Sequence, residues 1–109
     1  MTTVQNIENS ILEALRGHIG SHSKRLSELG LAYQISIDRK SSEGSGYRSE
    51  VRAEFIDENG PWDILEFEVI KHGNAVVSVE DVKKWLPEAF ASVISRRELE
   101  AGDQKHHVM

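Results

Sequence analysis

Residues 48–79 read RSEVRAEFIDENGPWDILEFEVIKHGNAVVSV, and this stretch decides the fold. Apolar and polar residues alternate along it, which is typical of strands with one buried face. The alternation is interrupted at Asn59-Gly60-Pro61 and at His72-Gly73-Asn74, whose residues favour reversal of the chain. The stretch therefore predicts three consecutive antiparallel strands, at residues 48–57, 62–71 and 75–79.

The register of these strands follows from the requirement that one face of the sheet be apolar. A two-residue turn at Asn59-Gly60 would place Ala53 opposite Glu66 and mix apolar with charged side chains. We therefore predict a three-residue loop that includes Pro61, with the pairs Phe55–Leu65, Ala53–Phe67 and Val51–Val69. The same test at His72-Gly73-Asn74 predicts another three-residue loop, with the pairs Val69–Val77 and Phe67–Val79.

Segments whose apolar residues have helical spacing precede and follow the strands. Residues 4–15 and 23–29 have this spacing, and Gly17 and Gly20 either separate two helices or kink a single one. Alternation at 32–39 adds a first strand. After the last strand the helical period returns, and Pro87 either starts a new helix, ending near residue 101, or kinks a continuous one.

The sequence as a whole predicts a single α+β domain over residues 1–109. Its elements are an N-terminal helix, a four-stranded antiparallel meander and a C-terminal helix. We expect both helices to pack on one face of the sheet. Residues 103–109 are predicted to form a disordered tail.

Composition excludes several classes of function. The 13 basic and 18 acidic residues give a net charge of −5, which disfavours a broad phosphate-binding field and hence nucleic-acid binding. No apolar run approaches the roughly 18 residues that cross a bilayer, and Glu8 and Glu13 stand where a signal peptide would be apolar. With no cysteine, the chain is compatible with a reducing compartment. We expect a cytoplasmic protein without a membrane contact or a cofactor.

The predicted register leaves apolar residues on the second face of the sheet. Ile56 would face Ile64 near one turn, and Ile70 would face Val76 near the other. A solvated face with scattered apolar side chains is one interpretation, since much of any protein surface is apolar. The other is an interface with a second copy or a protein partner, and two-fold dimers are the commonest assemblies.

Charged residues lie between these apolar pairs. The predicted register places Glu54 opposite Glu66, and like charges across a ladder are destabilising. The simplest compensation is Arg52, predicted opposite Glu68, in an ion pair worth at most about 1 kcal/mol when exposed. The alternatives are a bound cation, a basic partner, or one carboxyl with a raised pKa that acts as a general acid.

Other candidate residues are weaker. His18 and His22 are four residues apart and could reach one metal ion from a helix, but no third ligand is identifiable and Gly17 and Gly20 weaken the helix there. We expect solvated histidines and no metal. Trp62 and Trp85 are either core residues or anchors in a binding surface, where tryptophan is enriched.

No spacing of serine, histidine and acidic residues fits a catalytic motif. The sequence therefore favours a small non-enzymatic protein-interaction module, homodimeric through the face or the edge of its sheet. The alternative is a small-ligand-binding protein or enzyme with a pocket between sheet and helices. The predicted interface consists of Ile56, Ile64, Ile70, Val76, Glu54, Glu66 and Trp62.

Overall fold

The computed structural model describes residues 4–42, 44 and 46–107. Three helices and four strands follow one another in an α+β order, as predicted. They are α1 (Val4–Gly20), α2 (Ser23–Glu28), β1 (Ala32–Ser42), β2 (Gly46–Asp57), β3 (Gly60–Lys71), β4 (Asn74–Ala75) and α3 (Val79–His107).

The strands form one antiparallel sheet in which neighbours in space are neighbours in sequence. Helices α1 and α3 pack against one face of this sheet, and the core lies between them and the strands. The predicted meander with helices on one face is confirmed. The largest fully buried side chains include Phe55 of β2, Ile11, Leu15 and Ile19 of α1, and Leu86 of α3.

The β2–β3 hairpin differs from the prediction in its pairs but not in the side chains that it buries. Its turn has two residues, because Asp57 pairs with Gly60, and Trp62 is then an extra residue in a bulge. Beyond the bulge, Val51 pairs with Phe67 instead of Val69, and Ala53 pairs with Leu65. The shift from the predicted register is two residues. Because an even shift leaves each side chain on its face, the predicted inner face is kept.

The β3–β4 connection also differs from the prediction. Its turn consists of His72 and Gly73 alone, with φ of 52° and 79°, which is the left-handed pair that a two-residue type I′ turn requires. Strand β4 then has only two residues instead of the predicted 75–79. The predicted pairs Val69–Val77 and Phe67–Val79 are therefore wrong.

A helix cap explains why β4 is so short. The amide of Val76 still donates to the Val69 carbonyl (2.9 Å), but the Ser78 hydroxyl then accepts from the Asp81 amide (3.1 Å). This contact caps the first turn of α3, whose acidic residues also suit a helix N-terminus. Residues predicted as the end of a strand thus begin a helix at Val79.

The glycines and the proline interrupt the helices less than expected. Helix α1 continues through Gly17 to Gly20, and α3 continues through Pro87 to His107, so a helix end near residue 101 is wrong. A stripe of buried side chains on both sides of Pro87 holds α3 against the core, and this packing offsets the missing hydrogen bond. The stripe consists of Val82, Leu86, Phe90 and Val93. Of the predicted disordered tail at 103–109, residues 103–107 belong to α3, and residues 108 and 109 lie outside the described residues.

Within the described part of the chain, none of the helices has the length and apolar character needed to span a membrane.

Candidate interaction surface

The outer face of the sheet, opposite the helices, carries a network of charges. Arg52 pairs with Glu66, and Glu50 lies directly opposite Glu68, so the predicted pairs Glu54–Glu66 and Arg52–Glu68 are wrong. The two-residue register shift changed which carboxylates face one another. A like-charge pair exists nevertheless, now between Glu50 and Glu68.

Two arginines offset this like-charge pair. Arg48 Nη2 lies 3.2 Å from Glu68 Oε2 and 3.7 Å from Glu50 Oε1. Arg52 Nη2 lies 3.7 Å from Glu50 Oε2 and 3.3 Å from Glu66 Oε1. The compensation is therefore of the simple kind that the sequence suggested, through guanidinium groups. Each contact is partly exposed and contributes little stability alone.

Within this network, the pKa of the Glu50 carboxyl is raised above its ordinary value. A hydrogen bond to the Glu66 side chain raises its pKa most, followed by partial burial and the charge of Glu66, and the two arginines only partly oppose the shift. A raised pKa suits a general acid, but acid catalysis also needs a substrate held out of bulk water. Glu50 lies on the outer face of the sheet, and its side chain is 28% exposed.

The predicted apolar interface residues do not form the expected pairs. Ile64 is 40% exposed and lies opposite Glu54, while Ile56 is half-buried and lies opposite Pro61. Val76 is 48% exposed and follows the end of β4. The outer face thus has isolated apolar side chains instead of two apolar pairs.

Ile70 does not lie on the outer face. It is fully buried in the core and pairs with Ser49. A second bulge explains the difference, because Val69 is an extra residue between the pairs Ser49–Ile70 and Glu50–Glu68. Both Val69 and Ile70 consequently point inward, and Ile70 is removed from the candidate surface.

Trp62 is held by α3. Its indole nitrogen donates to Glu100 Oε2 at 2.9 Å, and the guanidinium of Arg97 lies 5.3 Å from the ring centroid. Arg97 also donates to the Leu29 carbonyl (2.9 Å) and to Asp57 (3.0 Å). These two contacts tie α3 to the end of α2 and to the end of β2. Trp62 is therefore a half-buried structural contact as well as a surface residue.

A shallow groove brings together three of the predicted interface residues. It has a volume of about 380 Å³ and lies where Trp62 emerges from its bulge. Its lining consists of Glu54, Pro61, Trp62, Asp63 and Ile64. Glu66 lies on the same face, whereas Val76 lies at the other end of β3.

Trp85 is the exposed aromatic residue of α3. Its side chain is 48% exposed, and one side of it contacts Phe67, with ring centroids 4.3 Å apart. It borders an apolar groove of about 370 Å³ that is lined by Val77, Asp81, Val82, Lys84 and Trp85. The sequence left open whether Trp85 is a core residue or a surface residue. In the structure, one side of its ring packs on Phe67 and the rest is exposed.

Glu8 forms a buried polar cluster that the sequence analysis missed. It is 1% exposed, and its carboxylate accepts hydrogen bonds from the Tyr47 hydroxyl (2.7 Å) and from Arg39 Nε (3.1 Å). Burial raises the pKa of Glu8, but Ser49, Tyr47 and Arg39 together outweigh burial and hold the pKa below its ordinary value. The carboxylate thereby links α1 to the β1–β2 hairpin.

The two candidate metal-binding histidines lie side by side. The ring centroids of His18 and His22 are 5.0 Å apart, and both rings contact Phe90. Nδ1 of His22 lies 2.9 Å from the His18 carbonyl oxygen, and burial followed by the charge of His22 lowers the pKa of His18. Among the described residues, no cluster of three or more histidine or acidic ligands is present.

Side chains fill the centre of the space between the sheet and the helices, but a groove of about 450 Å³ remains where α1 meets β1 and β2, lined by Val4, Gln5, Glu8, Arg39 and Tyr47. Phe55 contacts Phe90 of α3, and fully buried residues of α1 pack beside them. The grooves beside Trp62 and Trp85 open at the surface. The alternative of a pocket between sheet and helices stays a prediction.

Comparison of the chain with models of known protein families, with curated proteins and with solved structures gives no match.

Proposed function

We propose that this protein is a non-enzymatic protein-interaction module that forms a homodimer through its sheet. The observation that carries the proposal is that, in the described part of the chain, both edges of this sheet have unpaired strand segments. Strand β1 has a neighbour on one side alone among the described strands, and β4 covers only two residues of β3. Soluble proteins usually cover, shorten or twist such edges, because unpaired amide and carbonyl groups recruit further strands.

The chemistry of the buried polar groups supports a binding role over catalysis. Glu8 is the buried carboxylate, and Tyr47 and Arg39 occupy its oxygens. Arg97 is likewise engaged by Asp57 and the Leu29 carbonyl. These groups hold elements together, and the groove that Glu8, Arg39 and Tyr47 line opens at the surface. A cytoplasmic setting, which the cysteine-free composition fits, forms part of the proposal.

Sedimentation equilibrium across the micromolar range tests the dimer. We expect the apparent mass to approach twice the 12.3 kDa of one chain as concentration rises. A mass that stays at that of one chain throughout the range would overturn the proposed self-association.

A second candidate function is the binding of a small apolar ligand, and the groove beside Trp85 favours it. The groove is open and is lined mainly by Val77, Val82 and the indole ring. Titration with the fluorescent probe anilinonaphthalene sulfonate measures this capacity. If the groove takes apolar ligands, saturable binding occurs and Trp85→Ala removes it, whereas Trp62→Ala does not. Binding that survives Trp85→Ala would exclude this candidate.

A further inference from the structure

The inference concerns the free edge of β1 and rests on the proposed function. Strand β1 has eleven residues and pairs with β2 without a bulge, from Ala32 opposite Ile56 to Ser42 opposite Gly46. No strand in the described residues pairs with its other edge. An edge of this length presents a regular row of unpaired backbone groups.

The inner side of β1 is less buried than the strand beside it. Ile35 and Ile37 are half-buried, although Ala53 and Val51, directly opposite them on β2, are fully buried. Part of each isoleucine therefore remains accessible at the margin of the core. An added strand would cover this apolar surface and gain its burial energy.

The charges of β1 lie in one half of the strand. Residues 32–37 carry no charge, while Asp38, Arg39 and Lys40 follow in succession. On the outer side, Gln34 and Ser36 are neutral and exposed. Two copies of this strand can therefore pair antiparallel with each charged half against a neutral half.

We propose that β1 pairs with β1 of a second copy about a two-fold axis at Ser36. The two sheets then become one eight-stranded sheet, four strands from each copy, with all helices on the same side. No charge meets a like charge across the new ladder. The pairs between copies are Ile35 with Ile37, Gln34 with Asp38, Tyr33 with Arg39 and Ala32 with Lys40.

Other registers are less favourable. A slip of one residue would oppose inner and outer side chains. An axis at Ile37 would place Ile35 opposite Arg39, and an axis at Ile35 would shorten the paired segment. The axis at Ser36 places Ile35 opposite Ile37 of the other copy and Arg39 opposite the aromatic ring of Tyr33.

The other sheet edge is a poorer site for a second copy. The open part of β3 carries Glu66 and Glu68, each partly exposed on the outer face. Antiparallel pairing about Phe67 would place Glu66 opposite Glu68 of the other copy, and like charges across a ladder are destabilising. Pairing about Leu65 would place Asp63 opposite Phe67 and Glu66 opposite Ile64, so charges would face apolar side chains. Self-complementarity therefore selects β1.

Charge substitutions at the axis test the register. Ser36 is exposed, so Ser36→Lys or Ser36→Glu should leave the fold intact while opposing two like charges in the dimer. We expect each variant to weaken dimerisation by about fivefold or more. An equimolar mixture of the two variants should restore a dimer that contains one of each. The control Ser95→Lys, at an exposed position of α3, should dimerise like the unmodified chain.

The outcomes separate this inference from the proposed function. If the unmodified chain dimerises and both Ser36 variants dimerise equally well, the β1 interface is wrong and the module dimerises elsewhere. If the unmodified chain is monomeric, the proposed self-association fails as well. In a mixed-label sample, contacts between Ile35 and Ile37 methyl groups of different copies support the register, and contacts between Ile37 methyl groups alone overturn it.

Discussion

The hydroxyl of Tyr47 donates a 2.7 Å hydrogen bond to the carboxylate of Glu8 and so joins β2 to α1. Glu8 also accepts from Arg39 of β1, and the pKa of its carboxyl is held below the ordinary value of 4.5. The carboxylate is therefore stabilised more in the folded chain than in the unfolded one. This contact gives the fold a dependence on pH with a defined sign.

Stability is predicted to fall on acidification because of Glu8. Its contribution is complete above the unfolded pKa of about 4.5 and is lost as pH falls through the lower folded pKa. At neutral pH, Glu8→Gln should cost about 1.5–3 kcal/mol, since hydrogen bonds to a charged acceptor are replaced by neutral ones. Urea unfolding at neutral and acidic pH measures both effects. The exposed Glu13→Gln serves as control and should leave the acid sensitivity unchanged.

Two glycines are predicted to respond oppositely to alanine. At Gly46, φ is 74° and a Cβ would lie 3.3 Å from the backbone of His72, so Gly46→Ala should destabilise by about 1–2 kcal/mol or more. Gly17 lies inside α1 with open space around its Cα, so Gly17→Ala should stabilise by about 0.5–1 kcal/mol. Thermal unfolding of both variants measures the two effects. Effects of the same sign would contradict the close approach of Gly46 to the backbone of His72.

Pro87 is predicted to limit the stability of α3. It is exposed inside the helix, lacks the amide that would bond to the Lys83 carbonyl, and crowds that carbonyl. Pro87→Ala should raise the free energy of unfolding by about 1–2 kcal/mol, because the helical gain exceeds the entropy returned to the unfolded chain. Ala91→Gly, at an exposed helical position, should lower it by about 1 kcal/mol. Denaturant unfolding of the two variants checks the opposite signs.

The spacing of apolar residues and the composition of the turns were sufficient to predict the fold, because both reflect local backbone geometry. Apart from Ile70, the inner side chains of β2 and β3 were predicted correctly even though the register was wrong, since the two-residue turn and the bulge at Trp62 together preserve parity. The bulge itself had no local signal. Trp62 is held by Glu100 and Arg97, which are remote in sequence, and only the assembled fold brings them together.

The candidate surface was less predictable for the same reason. The alternation of inner and outer side chains along β3 would place Ile70 on the outer face. The bulge at Val69 interrupts this alternation and turns Ile70 inward. Glu8 did carry a signal, because it interrupts the apolar stripe of α1 between Val4 and Ile11. Its partners Tyr47 and Arg39 come from two different strands, so the sequence could mark the position but not the contact.

Ile64 distinguishes a dimer through the sheet edge from one through the outer face. It is 40% exposed on β3, two strands away from the β1 edge, and lies opposite Glu54. Ile64→Lys would add a charge to the outer face and place it across from a carboxylate, a pair worth roughly 0.2–1 kcal/mol. We therefore expect unchanged or slightly higher stability and an unchanged dimer mass, whereas Ser36→Lys, with the same added charge, weakens the dimer. Sedimentation equilibrium of both variants measures the difference, and loss of the dimer in Ile64→Lys alone would place the interface on the outer face.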